Sequence, residues 1–298
     1  MENRYYKQGI GSKAFDVLNL FIMIVFSLLV VYPFFNQLIL SFNDGIDAVK
    51  GGIYLFPRKF SIDAYGMLFK NPKIINGALI SVLRVVVGTC TGLFVTGLLA
   101  YIVSVKGFSG RRFMRVIFLV TMYFSGGLIP TYLLISKLGL TNSFNVYWLP
   151  TLINAYYMLL IASYVQGLPD SLIEAPRIDG CNELRIYYLI VIPVSLPVFA
   201  AIAVYIAVQH WNAWFDVMIY NPSGRWDTIQ VYLRRLLLEM DMVQNLQNEQ
   251  LAQSRFKNLT PLTFRAATTI IVTFPILVTY PFLQKYFIGG ITIGSVKG

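Results

Sequence analysis

The chain has 298 residues with a formal net charge of +10, 56% apolar residues and only 13% charged ones, about half the roughly 25% charged share of an average soluble domain. So few charges cannot cover the surface of a soluble protein of this length, and a soluble globular domain is excluded. The basic excess is spread over many loops instead of one stripe, so nucleic acid is not an expected partner; membrane lipid, through its anionic headgroups, is the simpler one.

Crossing a hydrocarbon core takes about 20 helical residues, and runs of that kind lie at 15–40, 76–105, 113–135, 147–165, 194–219 and 266–288. The expected fold is therefore all-α, a polytopic membrane protein with six transmembrane helices forming a single transmembrane domain over 1–298. The first run is bulky throughout and interrupted only by Pro33, unlike a removable signal peptide with its apolar region of about 7–15 residues, so it is expected to stay as a span. Segment 41–75 follows, with the turn chemistry of Asn43-Asp44-Gly45, Gly51-Gly52 and Asn71-Pro72. In the second run, Arg84 is expected to snorkel toward the interface.

Six spans put both termini on one face. Overall counting of Lys and Arg balances the two faces, so the short loops decide, where the positive-inside bias is best expressed. The loop Lys106 to Arg115 carries Lys106, Arg111, Arg112 and Arg115 with no acidic residue, whereas 136–146 carries only Lys137. Both termini are accordingly expected in the cytoplasm, with Arg4, Lys7, Lys285 and Lys297 on that side and segments 41–75 and 220–265 outside. In the third run Ser125-Gly126-Gly127 marks a loosened backbone, and Pro130, Pro150, Pro275 and Pro281 mark kinks or span ends.

Residues 166–193 form a cytoplasmic loop whose stretch from Glu174 to Pro193 carries five charged residues between apolar runs. Ser171-x-x-Glu174 has capping-box spacing, Gly180 interrupts where a positive φ is cheap, and Asn182 is placed to cap a second helix running into Pro193. A helix, a turn and a helix on the membrane surface can seat in another protein's groove; an ordinary solvated loop fits the same residues. On the fifth run Tyr205, Gln209, Asn212 and Asp216 recur at spacings of four, three and four, one helical face. Such a stripe is expensive in lipid, and it faces either a second membrane subunit or a watery path.

Enzymatic chemistry has little to stand on. His210 is the chain's single histidine, which leaves no zinc ligand set of the usual kind, and it reads as a hydrogen-bonded interior residue. Neither a phosphate-binding Gly-x-x-x-x-Gly-Lys-Ser/Thr loop nor a Gly-x-Ser-x-Gly turn occurs. Cys90 lies within a span and Cys181 in the polar loop, too far apart in the expected topology to join.

The polar loop resembles the signature of the integral-membrane subunits of ABC importers, Glu-Ala-Ala, three residues, Gly, nine residues, Ile-x-Leu-Pro. Here it reads Glu174-Ala175-Pro176, three residues, Gly180, nine residues, Ile190-Val191-Ile192-Pro193, with Asp179 and Pro197 also matching. Pro176 and Ile192 depart from it, and a proline inside a helix costs about 3 kcal/mol. Further segments resemble maltose-type sugar permeases: Phe56-Pro-Arg-Lys-Phe-Ser-Ile-Asp-Ala-Tyr65 and Trp211-Asn-Ala-Trp-Phe215. Phe124 to Leu133 and the ending Gly289 to Gly298 resemble the branch for larger, including uronate-containing, saccharides.

The resemblance implies the type I importer permease fold and a subunit that works beside a second homologous permease. It further implies two ATP-binding subunits, which carry the ATP and Mg²⁺, and an extracytoplasmic solute-binding protein; no cofactor is implied in this chain. Glu174, Ala175, Asp179, Gly180, Ile190 and Pro193 are implied as the ATPase-coupling residues. Tyr205, Gln209, Asn212 and Asp216 are candidates for the saccharide path. The alternatives are an importer permease for a non-sugar solute, a secondary transporter, which wants mid-membrane ionisable groups and internal repeats, and a membrane enzyme, which wants a convergent acid–base set.

Overall fold

A computed structural model describes the backbone of residues 10–245 and 260–292, and side chains of 11–239 and 260–281. Arg4, Lys7 and Lys297, the middle of the 220–265 segment, and the ending from Ile293 lie outside the described residues, as does the side chain of Lys285. Among the described residues the chain is helical, with one isolated antiparallel bridge between Asn43 and Phe60. It divides into two compact units, Met1–Lys70 with Leu237–Ile271, and Asn71–Leu236 with Val272–Gly298.

In the first unit, α1 (Ile10–Ser41) runs unbroken through Pro33, and its residues from Leu20 to Phe35 are exposed and apolar except for Ser27, a surface fit for lipid. The 41–75 segment is a folded element with two short helices, α2 (Gly45–Val49) and α3 (Asp63–Lys70). The Asp44 side chain accepts the Asp47 N–H at 3.0 Å to cap α2, a bond that, with Lys59 beside it, holds the carboxyl below its ordinary range. Asn43 ties the strands of the loop by accepting the Lys59 N–H at 3.0 Å.

The second unit is built on α4 (Pro72–Ser104), capped by Asn71 with Pro72 at the first helical position. Gly77, Ser81, Arg84, Gly88, Gly92, Thr96, Ala100 and Ser104 recur every three or four residues on its buried face, and all of them but Arg84 are small, which lets neighbouring helices approach closely. Tyr101, Met158, Ile161, Ile186, Tyr187, Val191, Phe199 and Ile202 close the core between α4, α7 (Ala155–Gln166) and α11 (Leu196–Asn212).

Three of the six expected spans differ from the sequence reading. The run at 113–135 is two helices, α5 (Arg111–Tyr123) and α6 (Leu128–Lys137), whose axes bend by 116° where Gly127 takes φ +83°. The run at 147–165 contains only α7, twelve residues, because Pro150 lies in an irregular segment and Asn154 caps the helix start by accepting the Tyr157 N–H. At 1.5 Å per residue α7 is about 18 Å long, short of a core about 30 Å thick. The run at 194–219 breaks at Ala213 and Trp214 before α12 (Phe215–Tyr220), and α13 (Ile229–Asn245) follows it. Three helices, α1, α4 and α14 (Pro261–Thr292, shared between the two units), are long and apolar enough to cross unbroken, and the bent pairs raise the number to at most five among the described residues. A count of six is not reached. Helix α14 continues through both Pro275 and Pro281.

Candidate functional site

Two places in the second unit gather the sequence-flagged residues. The first is the polar loop, where α8 (Ser171–Ile178) buries no side chain and leaves Ile178 86% exposed. The capping box does not form. Asp170 already has helical backbone angles, and its carboxylate pairs with Lys106 instead of the helix N–H groups.

Helix α8 ends in a Schellman motif: Gly180, with φ +82°, donates its N–H to the Arg177 carbonyl at 3.2 Å, and Cys181 donates to that of Pro176 at 3.0 Å. Pro176 thus forfeits one N–H bond inside a helix of only eight residues while its carbonyl closes the turn. Glycine is required by this backbone angle and not by crowding, since a Cβ there would meet nothing within 4 Å. Glu174, Ala175 and Asp179 are all exposed on this turn and helix.

Asn182 caps α9 (Glu183–Ile186) by accepting the Arg185 N–H at 2.8 Å. A π-turn (Tyr187–Val191) and a short helix α10 (Ile192–Val194) carry the chain on through Ile190 and Pro193, and the axis then turns by 87° into α11. Sequence reasoning missed the clamp across this loop. Arg177 Nε donates to Glu183 Oε1 at 2.8 Å, and the Tyr101 hydroxyl donates to Glu183 Oε2 at 2.5 Å, tying α8 and α9 to the end of α4. The bond from Arg177 holds the Glu183 carboxyl below its usual range.

The second place is a cavity of about 610 Å³ walled by α4, α7, α11 and the 213–216 break. Gln209, Asn212 and Asp216 line it with Arg84, Asn154 and Tyr157. Tyr205 is not part of its lining and stacks on Tyr157 at 6.3 Å between centroids. The four-residue stripe is thus not one continuous helical face, because Asp216 sits on α12 beyond the break.

Arg84 does not snorkel. It is 2% exposed, forms a two-pronged pair with Asp216 (NH1 to Oδ1 at 3.2 Å), and lies 4.8 Å from the centre of the Tyr147 ring. A buried guanidinium finds a planar carboxylate cheaper than the long reach to water. His210 is buried as expected of an interior residue, packed so closely on α4 that a Cβ at Gly88 would overlap its ring. The signal for the pairing was faint: one cation and one anion within apolar runs, too far apart in sequence to be matched without the fold.

Among the described residues, apolar helices long enough to cross a membrane, an exposed helix-turn-helix loop and a separate polar cavity suit a transport subunit. No family model matches the sequence. The chain is 37% identical over 288 residues to the polygalacturonan/rhamnogalacturonan transport system permease protein YtcP of Bacillus subtilis, covering 96% of this chain and 99% of that one. It is 34% identical to protein LplC of the same organism over 97% and 96% of the two chains. The fold matches a chain in the crystal structure of a bacterial ABC transporter involved in the import of the acidic polysaccharide alginate, with TM-score 0.87 and 26% identity over 95% of this chain and 99% of that chain. The chain belongs to the family of carbohydrate ABC importer permeases. It is a multi-pass membrane transport subunit and not an enzyme.

Proposed function

We propose that this chain is one permease of an ATP-driven importer for a uronate-containing oligosaccharide and acts as a single transmembrane domain over 1–298 with the type I importer fold. It works with a second homologous permease, with two ATP-binding subunits that carry ATP and Mg²⁺, and with an extracytoplasmic solute-binding protein. Both termini face the cytoplasm. The ATPases act through α8 and the turn at Gly180, with Glu174, Ala175 and Asp179 at the contact and Ile190 and Pro193 passing movement to α11.

The observation that carries the substrate reading is the cavity. Its volume of about 610 Å³ suits a small saccharide segment. Its walls offer amide and charged groups from Asn154, Gln209, Asn212, Arg84 and Asp216 for hydroxyls, with the rings of Tyr157 and Trp214 for the apolar faces of a sugar. The acidic class is supported by the relatives, one named for polygalacturonan and one solved as an alginate importer.

The test is uptake of labelled oligogalacturonide and of a neutral oligosaccharide of equal length by vesicles holding the full assembly, with Gln209→Ala and Asn212→Ala variants. A path role changes the ratio of the two uptakes while the subunits still co-purify. Lost co-purification with an unchanged ratio refutes the path and assigns the residues to the permease interface.

A further inference from the structure

A second cavity, about 440 Å³, lies where the α4–α5 loop meets α8, and it is lined by Lys106, Arg111, Arg112, Arg115 and Arg177 against only Asp170 and Glu174. Its cations are not equally occupied. Lys106 pairs with Asp170 and Arg177 with Glu183, but Arg111 and Arg112 make no ion pair or side-chain hydrogen bond among the described residues. Arg115 donates through NH2 to the Val103 carbonyl at 2.6 Å, while its Nε is buried without a partner.

The surroundings say what kind of acceptor fits. Helix α5 starts with this basic turn and within one further turn becomes bare apolar surface, with Val116 and Ile117 53% and 43% exposed, followed by Leu119 and Val120. A helix that passes from unpaired arginines to exposed aliphatic side chains over a few ångströms marks the boundary between headgroups and hydrocarbon.

We infer that this cavity is a binding site for the phosphodiester headgroup of an anionic phospholipid, with Arg111 and Arg112 holding the phosphate oxygens and the acyl chains lying along α5. Basic pockets at the membrane surface take anionic lipids in this way. Ile173, Glu174 and Arg177 of α8 also line the cavity, so the bound lipid touches the loop proposed above to receive the ATPase. The site itself stands apart from the identity of the sugar.

The experiment uses the purified permease assembly in nanodiscs of phosphatidylcholine with or without phosphatidylglycerol, and native mass spectrometry to count phosphatidylglycerol retained after delipidation. Wild type is expected to retain it in preference to phosphatidylcholine. The Arg111→Gln/Arg112→Gln double variant should weaken retention about thirtyfold, from roughly fivefold per cation, and the double lysine variant should keep most of it. Unchanged retention in the glutamine variant overturns the site. Loss of the ATPase subunits from that variant with retention unaltered also overturns it, assigning the arginines to a protein partner. Inorganic phosphate binding in lipid-free detergent as tightly as phosphatidylglycerol would overturn the lipid as the occupant.

Discussion

Breaking the Arg84–Asp216 pair from its two sides should give unequal losses. Removing one member of a buried ion pair costs about 3–5 kcal/mol when the other is left uncompensated. Arg84 is 2% exposed and already has one buried nitrogen, Nε, without a partner, whereas the Asp216 side chain is 27% exposed on the cavity wall. Asp216→Asn therefore strands a full charge away from water and should cost about 3 kcal/mol, the lower bound because the amide oxygen still accepts one bond. Arg84→Met strands a carboxylate that can turn into the cavity and hydrate, so the loss is set by the missing hydrogen bonds and the contact with Tyr147, about 1–2 kcal/mol. The double variant removes both charges and should cost only about 1–2 kcal/mol, a coupling of about 3 kcal/mol. Thermal unfolding of the purified assembly reads this as a drop of about 6 °C for Asp216→Asn and 2–4 °C for Arg84→Met, at about 2 °C per kcal/mol for a chain of this size. Additive effects in the double variant, or a larger loss from Arg84→Met than from Asp216→Asn, would refute the reasoning.

Gly88→Ala should lower thermal stability by roughly 1–3 kcal/mol because its Cβ would overlap the buried His210 ring; Gly92→Ala, whose Cβ meets only the Leu152 carbonyl at 3.8 Å and Ile206 at 4.0 Å, should leave the melting temperature at or above wild type. Replacing Gly180 by valine forces a branched residue into φ +82° and costs about 1–2 kcal/mol locally, so the assembled importer should persist while binding-protein-stimulated ATP hydrolysis is lost; full stimulation would remove Gly180 from the coupling turn. Acid should loosen the polar loop. The Glu183 carboxyl lies lower in the folded loop than its unfolded value of 4.5, so its contribution is present above that pH and fades as pH falls through the folded value. Maleimide labelling of Cys181 in a Cys90→Ser background, divided at each pH by the rate of a free thiol because only the thiolate reacts, should therefore rise as pH falls below 4.5, and Glu183→Gln should label faster than wild type at neutral pH; labelling of the variant no faster than wild type would discard the clamp.

The membrane character, the three unbroken spans and the motif loop were legible because each depends on local quantities. Mean apolarity over about 20 residues marks α1, α4 and α14, and Gly180 and Asn182 act within their own turn and cap. Hydropathy is blind to the direction of an axis, so the bends at Gly127 and Ser195, the break at Ala213 and the shortness of α7 did not appear in it. For the same reason the stripe from Tyr205 to Asp216 looked continuous when its last member stands on another helix. The Arg84–Asp216 pair, the seat of His210 on Gly88 and the Tyr101–Glu183–Arg177 clamp join residues from 6 to 132 positions apart. Those partnerships exist only once helices lie against one another, because a side chain's charge and shape are written in the sequence while the group that answers them is chosen by packing.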